Sequence, residues 1–212
     1  MNEILDIYDA KMNHIGTASR EEAHKFGYWH QTFHCWIVRR EKGKNYVLFQ
    51  IRDKEKQDAP NKLDITAAGH LKSGETKEDG LRELSEELGI CANIDQLQYL
   101  GIRITASENA KQINKEFAQV YMLRDDMPLE QYTLQENEVA GLVQIEIDDG
   151  LRLCAKEVES VPCTVLKSDK KGTYIMESKV EFSQFISRID SYYYKIFIMA
   201  ERYFEGKRYL SI

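Results

Sequence analysis

Two adjoining segments constrain this chain more than any other: Ala67-Ala68-Gly69-His70-Leu71-Lys72-Ser73-Gly74-Glu75 and Arg82-Glu83-Leu84-Ser85-Glu86-Glu87-Leu88-Gly89-Ile90. The first reads as a glycine-bearing loop and the second as a short helix. On that helix Glu83, Glu86 and Glu87 stand at i, i+3 and i+4. At about 3.6 residues per turn this puts three carboxylates on one face. Leu81, Leu84 and Leu88 take the opposite, apolar stripe. Carboxylates crowded in this way repel one another unless a cation lies among them, and hard divalent ions such as Mg²⁺ prefer oxygen ligands. Thr76 followed by Asp79 is a capping pattern, so the helix is expected to begin near Thr76 or Lys77. Gly89 is placed to end it.

The rest of the 212 residues reads as scaffold, with enough apolar content (42%) for a real core. A formal net charge of −6 argues against a broad basic surface for nucleic acid. No run of about 18 apolar residues is present, so no membrane span is expected. Met1 to Asp6 is acidic and lacks a signal-peptide pattern. Cys35, Cys91, Cys154 and Cys163 are scattered and form no CxxC pair, which suits free thiols in a reducing cytoplasm.

Alternation and β-branched content predict strands at Ile4 to Asp9, Thr32 to Arg39, Tyr46 to Ile51, Asp64 to Ala67, Leu97 to Ile104, Phe117 to Leu123 and Val139 to Ile147. Met12 to Gly16 reads as a turn, and Ser19 to His24 as a helical turn or an irregular loop. A short helix runs from Asp148 through Leu153, and residues 156–180 hold a small hairpin near Gly172. Apolar residues at helical spacing, among them Phe182, Phe185, Ile189, Tyr193 and Phe197, predict one long helix from Phe182 to Phe204. Tyr192, Tyr193 and Tyr194 cannot all face the core of such a helix, and an outward tyrosine there is a candidate homodimer contact.

Gly69, Glu75, Arg82, Glu83, Leu84, Glu86, Glu87, Gly89 and Ile90 stand in the order of the Nudix box, G-x5-E-x7-R-E-U-x-E-E-x-G-U, and the chain resembles that superfamily. It departs in one place. Six residues, Thr76 to Leu81, separate Glu75 from Arg82 where the pattern has seven. The register from Arg82 to Glu87 is untouched, so the change is expected to fall on the Glu75–Arg82 geometry. The resemblance implies an α/β (α+β) Nudix fold: a mixed, mostly antiparallel sheet between helices, with an N-terminal extension and a long C-terminal helix. The Nudix domain would span residues 1–165, and residues 166–212 would form an extension packed on it.

The same resemblance implies a Mg²⁺-dependent pyrophosphohydrolase, with Mn²⁺ as the other candidate ion. The substrate would be a small-molecule diphosphate, either a nucleoside diphosphate derivative or a small organic diphosphate. Glu83, Glu86, Glu87 and the backbone carbonyl near Ala68 or Gly69 would hold the cations, which neutralise the charge developing on phosphorus and the leaving oxygen. Glu75 and Arg82 would orient loop and helix. The base that activates water would be a box glutamate, Glu116 or Glu138.

A closer likeness extends over residues 4 to 165. Leu5 to Asp9, Glu22-Ala23-His24, Trp29-His30, Phe33 to Ile37, Ala67 to His70, Ile113 to Phe117 and Leu134 to Val139 are similar to the branch related to type I isopentenyl diphosphate isomerases. Within that branch the likeness is to bacterial proteins and to the Nudix domain that precedes a dipeptidyl peptidase III module in plants. The peptidase module has no counterpart here. Three histidines and two glutamates hold a metal in the isomerases. His24, His30, His70 and Glu116 fall at similar places, implying a second metal site, while Asn114 replaces the second glutamate. Ala68 stands where the isomerases carry a cysteine, and a methyl group cannot move a proton at an allylic carbon.

Hydrolysis therefore ranks above isomerisation. A nucleotide-sensing binding module on the same fold ranks lower still, because Glu83, Glu86 and Glu87 are all retained. His14 and His34 read as structural or surface residues, and Tyr28 and Trp29 as packing residues before base-stacking ones. The loops that would select the substrate, residues 52–63, 105–116 and 156–180, carry no readable code.

Overall fold

The computed structural model describes residues 3–56, 58–108, 112–169 and 172–212. In chain order the elements are β1 (Ile4–Tyr8), β2 (His14–Ser19), α1 (Arg20–Phe26), β3 (Trp29–Glu41), β4 (Lys44–Arg52), β5 (Leu63–Asp64) and β6 (Ala67–His70). There follow α2 (Arg82–Leu88), β7 (Leu97–Glu108), β8 (Ile113–Arg124), β9 (Val139–Glu146), α3 (Ile147–Cys154), β10 (Ser160–Asp169), β11 (Gly172–Glu181) and α4 (Tyr192–Phe204).

β3 is the spine. Its aromatic and β-branched run, Thr32-Phe33-His34-Cys35-Trp36-Ile37-Val38, suits a strand buried on both faces. Along one edge β8 runs parallel to it, from Trp29↔Lys115 to Val38↔Arg124. Along the other edge β1, β6 and β4 take turns, at residues 29–30, 32–35 and 38–41. β9, β10 and β11 continue antiparallel beyond β4. The sheet is therefore mixed and mostly antiparallel, as the resemblance implied.

Alternation along β3 divides the core in two. Trp36 and Val38 point to the face covered by α3 and α4, where they meet Phe49, Val120, Met122, Tyr192, Ile196 and Phe197. Phe33, Cys35 and Ile37 point to the face covered by α2, against Leu84, Leu88 and Tyr121. Burial of a side chain of this size contributes roughly 1.5–3 kcal/mol, so each layer is held by several such residues.

Several expectations need correction. His14 to Ser19 is a strand, where a turn was expected over Met12 to Gly16. Arg20–Phe26 is a true helix, closed by a capping box between Ser19 and Glu22. The strand entering the box is Ala67–His70, so Gly69 lies inside a strand and not in a loop. α2 begins at Arg82, not at Thr76 or Lys77. Thr76 and Asp79 instead close a turn, with the Thr76 backbone N–H and hydroxyl both donating to the Asp79 carboxylate at 2.8 Å. A 3₁₀ turn at Asp79–Leu81 absorbs the missing residue. Gly80 makes this possible by lying flat on the Phe33 ring, where a β-carbon would collide.

The terminal helix also starts later, at Tyr192. Phe185 pairs instead with Leu63, and the Ile186 N–H donates to the Leu63 carbonyl at 3.0 Å. Ile189 is fully exposed. Tyr192 and Tyr193 are buried while Tyr194 is partly exposed, as helix geometry requires. The four cysteines are free, and no helix among the described residues is long and apolar enough to cross a membrane.

Candidate active site

β6 and α2 bring the acidic segment together. Gly69 stands against the Glu83 carboxylate so closely that any side chain at position 69 would occupy the same space. Glu87 reaches back to β6 and accepts the Ala68 N–H at 3.1 Å. Glu83 and Glu87 are buried, and Glu86 is half exposed at the rim. Burial pushes the Glu87 carboxyl up to about 8, and Glu83 adds to the rise. Burial raises Glu83 as well, while Arg82 pulls the other way. Two buried acids displaced upward side by side are a site short of positive charge. That is the chemistry of a cation-binding carboxylate set.

Arg82 organises the rim. Its Nε donates to Glu75 Oε1 at 3.0 Å, its Nη1 to Glu83 at 2.5 Å and Glu86 at 3.3 Å, and its Nη2 to the His70 carbonyl at 2.8 Å. Glu75 also accepts the Lys72 N–H at 2.7 Å. The Glu75–Arg82 pair thus forms despite the shortened connection, and both residues tie loop to helix. Asp6 fastens the same loop from β1, accepting the Ser73 hydroxyl at 2.8 Å and the Gly74 N–H at 3.0 Å.

The two later glutamates go to different places. Glu138 is carried by a loop stitched to the end of α2, with Gln135 N–H donating to the Glu87 carbonyl at 3.0 Å and Thr133 N–H to that of Leu88 at 3.1 Å. Its carboxylate meets the Lys56 ammonium. Glu116 lies across the β3/β8 pairing from His30. It accepts from Asn114 Nδ2 at 2.9 Å and Thr105 Oγ1 at 3.4 Å. Asn114, the replacement for an acid, therefore serves to hold Glu116.

His24, His30 and His70 do meet. One ring nitrogen of each lies within 4.8 Å of the others. His24 Nδ1 is 2.8 Å from the Arg20 carbonyl, and His30 Nδ1 is 2.9 Å from that of Tyr28. A carbonyl only accepts, so both rings carry a proton at Nδ1, and His30 keeps its Nε2 lone pair. His30 Nε2 and His70 Nε2 are buried with no hydrogen-bond partner. Burial holds His30 below its usual range and His70 well below it, so both are neutral at pH 7. Anchored, neutral imidazoles with buried, unused nitrogens fit a transition ion.

Three residues near the site had no signal in the sequence. Glu3 places a carboxylate 3.7 Å from His70 Nδ1. Lys56 lies within electrostatic reach of Glu83 and Glu87. Arg52 packs beside Asp64, 3.5 Å away. The last two sit at the start of a polar stretch whose only readable feature was its polarity. His34 is buried, not on the surface, and bonds to the Tyr192 hydroxyl at 3.1 Å. Trp29 stacks on Phe117 with centroids 4.7 Å apart, so it is a packing residue.

The NUDIX domain family model matches residues 29–159. The chain belongs to the Nudix family. An uncharacterized Nudix hydrolase of Clostridium acetobutylicum is 44% identical over 178 residues, 84% of this chain and 86% of that one. Nudix hydrolase 3 of Arabidopsis thaliana is 32% identical over 143 residues, 65% of this chain but 18% of the much longer plant protein. An isopentenyl-diphosphate Delta-isomerase of Aliivibrio fischeri is 30% identical over 145 residues, 67% of this chain and 79% of that one. The last of the three carries the name of the isomerase branch to which the sequence is similar. A crystal structure from Deinococcus radiodurans, of the protein DR0079, superposes with a TM-score of 0.53 over 73% of this chain and 90% of its own, at 24% identity. It shares the fold of this Nudix protein.

Proposed function

We propose that this Nudix protein hydrolyses a diphosphate linkage, in a nucleoside diphosphate derivative or a small organic diphosphate, with Mg²⁺ or Mn²⁺. The observation that carries the reading is the buried pair Glu83 and Glu87, each raised by burial and by a neighbouring glutamate, and set against Gly69 and Ala68 of β6. Glu83, Glu86, Glu87 and the Gly69 carbonyl would hold the divalent ion, which supplies charge neutralisation at the phosphoryl group. Arg82 keeps Glu83 and Glu86 aimed, and Glu75 keeps Arg82 in place. Glu138, on its braced loop, takes the proton from the attacking water. His24, His30 and His70, with Glu116 beside them, would hold a second ion of softer character.

Isomerisation, the activity named for the Aliivibrio relative, ranks below hydrolysis. Ala68 offers a methyl group where a proton carrier is needed, and its N–H is engaged by Glu87. A pure nucleotide sensor would not require the crowded carboxylates.

The test is a panel of nucleoside diphosphate derivatives and small organic diphosphates, screened for phosphate and phosphomonoester release with each metal. Turnover on at least one compound is expected. Proton exchange into isopentenyl diphosphate without any hydrolysis would overturn the assignment.

A further inference from the structure

We propose that β11 is a dimerisation edge: two copies of this chain pair β11 with β11, antiparallel about a two-fold axis through Ser178, and their sheets become one.

β11 ends the sheet, beyond β9 and β10. Among the described residues no strand pairs with its other edge. Every residue from Gly172 to Lys179 is exposed, so both faces of the strand are open as well. Folded proteins shield such edges with prolines, bulges or very short strands. β11 runs for 10 residues without a proline, and it pairs with β10 from Ser160↔Glu181 to Asp169↔Gly172 without a register shift. Tyr174, Ile175 and Met176 add exposed apolar surface to it.

One residue of β10 decides which groups β11 offers. Pro162 stands opposite Lys179 and has no N–H to give. Its place is a non-hydrogen-bonded pair, and the β9–β10 ladder accordingly ends at Thr164↔Gln144, before Pro162 would have to donate to β9. The N–H and C=O of Lys179 therefore point to the open edge. By alternation those of Glu177 do the same, while those of Ser178 face β10.

With the axis at Ser178, Glu177 of each copy stands against Lys179 of the other, and each such pair exchanges both main-chain hydrogen bonds. No ion pair within the chain holds either side chain, among the described residues. The Thr164 hydroxyl steadies Glu177, donating to its carboxylate at 3.1 Å. On the opposite face Met176 meets Val180 of the second copy, and Val180 already belongs to the core under α3 and α4. Tyr174 falls beside the second copy's Phe182, which is exposed. Other registers fit less well. An axis at Glu177 sets two carboxylates against each other, and one at Met176 sets Glu177 against Ile175. An axis at Val180 needs the Glu181 N–H, which already donates to Gln184 Oε1 at 2.8 Å.

Sedimentation velocity of the full chain across the micromolar range should show a monomer–dimer equilibrium. Lys179→Glu puts like charges opposite each other at both symmetry-related places, and should raise the dissociation constant about tenfold or more. Glu177→Lys should do the same. Glu177→Lys/Lys179→Glu restores the opposite charges and should bring the constant back to within about threefold of wild type. Lys179→Pro removes an outward N–H and none that β10 uses, so it should remain folded and lose the dimer. Thermal melts check that each variant is folded.

A wild-type chain that stays monomeric throughout this range overturns the proposal. So does a dimer that survives both single charge reversals, or a folded double variant that stays monomeric. None of these outcomes bears on the hydrolase reading.

Discussion

The acidic box and the histidine cluster share one four-residue strand yet solve opposite electrostatic problems. Successive side chains of a strand point to opposite faces. Gly69 accordingly faces the Glu83 carboxylate, and His70, the next residue, faces His24 and His30. The box is rich in charge, with one arginine shared among three carboxylates. Burial keeps His30 and His70 neutral, and both present buried nitrogens without partners. The first suits a hard ion that must be outnumbered by oxygen ligands, and the second an ion that accepts nitrogen. Two residues in sequence thus separate two kinds of coordination without a second domain to do it.

The largest expected effect breaks the comparison on the box side. Glu87→Gln keeps the shape and the Ala68 hydrogen bond but removes the negative charge that the carboxyl presents to a bound cation. If the box holds the ion that serves phosphoryl transfer, kcat/KM should fall about 10²–10³-fold, corresponding to several kcal/mol of charge stabilisation. Steady-state kinetics on a substrate found by the panel reads this out. Unchanged turnover would move the chemistry to the histidines.

The histidine side is tested with cobalt, whose visible absorption reports nitrogen ligation. His70→Ala should lower Co²⁺ affinity by about 10²-fold, at least as much as loss of an outer hydrogen-bond partner does. Glu87→Gln should leave that absorption band in place. A band that disappears in both variants would mean one shared centre, and the two sites would no longer be separate.

The two regions were not equally legible. Nine box residues in order were enough to read the acidic helix, because a contiguous motif is written within one loop and one helix. The histidines stand at 24, 30 and 70, on α1, β3 and β6, a spacing with no metal-ligand rhythm. Resemblance to the isomerases pointed to them, and folding was needed to bring them within 4.8 Å. Lys56 and Glu3 were invisible because charged residues in polar stretches are ordinary until the fold gives them a partner. A hydroxyl followed by an acid closes a turn as readily as a helix, and before α2 the missing residue with Gly80 selects the turn. α4 starts later than the apolar spacing predicts because Phe185 is apolar for a contact with Phe49 and β5, not for a helical stripe.

A smaller effect separates His30 from His34, four residues along the same face of β3. His30 leaves its buried Nε2 without a partner, whereas no nitrogen of His34 is orphaned in this way: its Nδ1 meets the Tyr192 hydroxyl, which also accepts the Trp36 Nε1–H at 3.0 Å. Tyr192→Phe should cost about 1–3 kcal/mol in denaturant unfolding, because it leaves two buried polar groups unpaired. The smallest effect is in its pH dependence. Burial first, and then the charges of Arg188 and Arg103, hold His34 well below 6.5. The unfolded chain therefore takes up the proton before the folded one. The stability this contributes is present above pH 6.5 and is lost as pH falls below it, at up to about 1.4 kcal/mol per pH unit. His30 and His70 are displaced in the same direction, so wild type alone cannot isolate His34. Comparison with His34→Gln can. The two stability curves should run parallel above pH 6.5 and converge below it, because only wild type retains this proton to gain. Curves that stay parallel down to pH 5 would mean that His34 takes up its proton without unfolding, and the contrast with His30 would lose its physical basis.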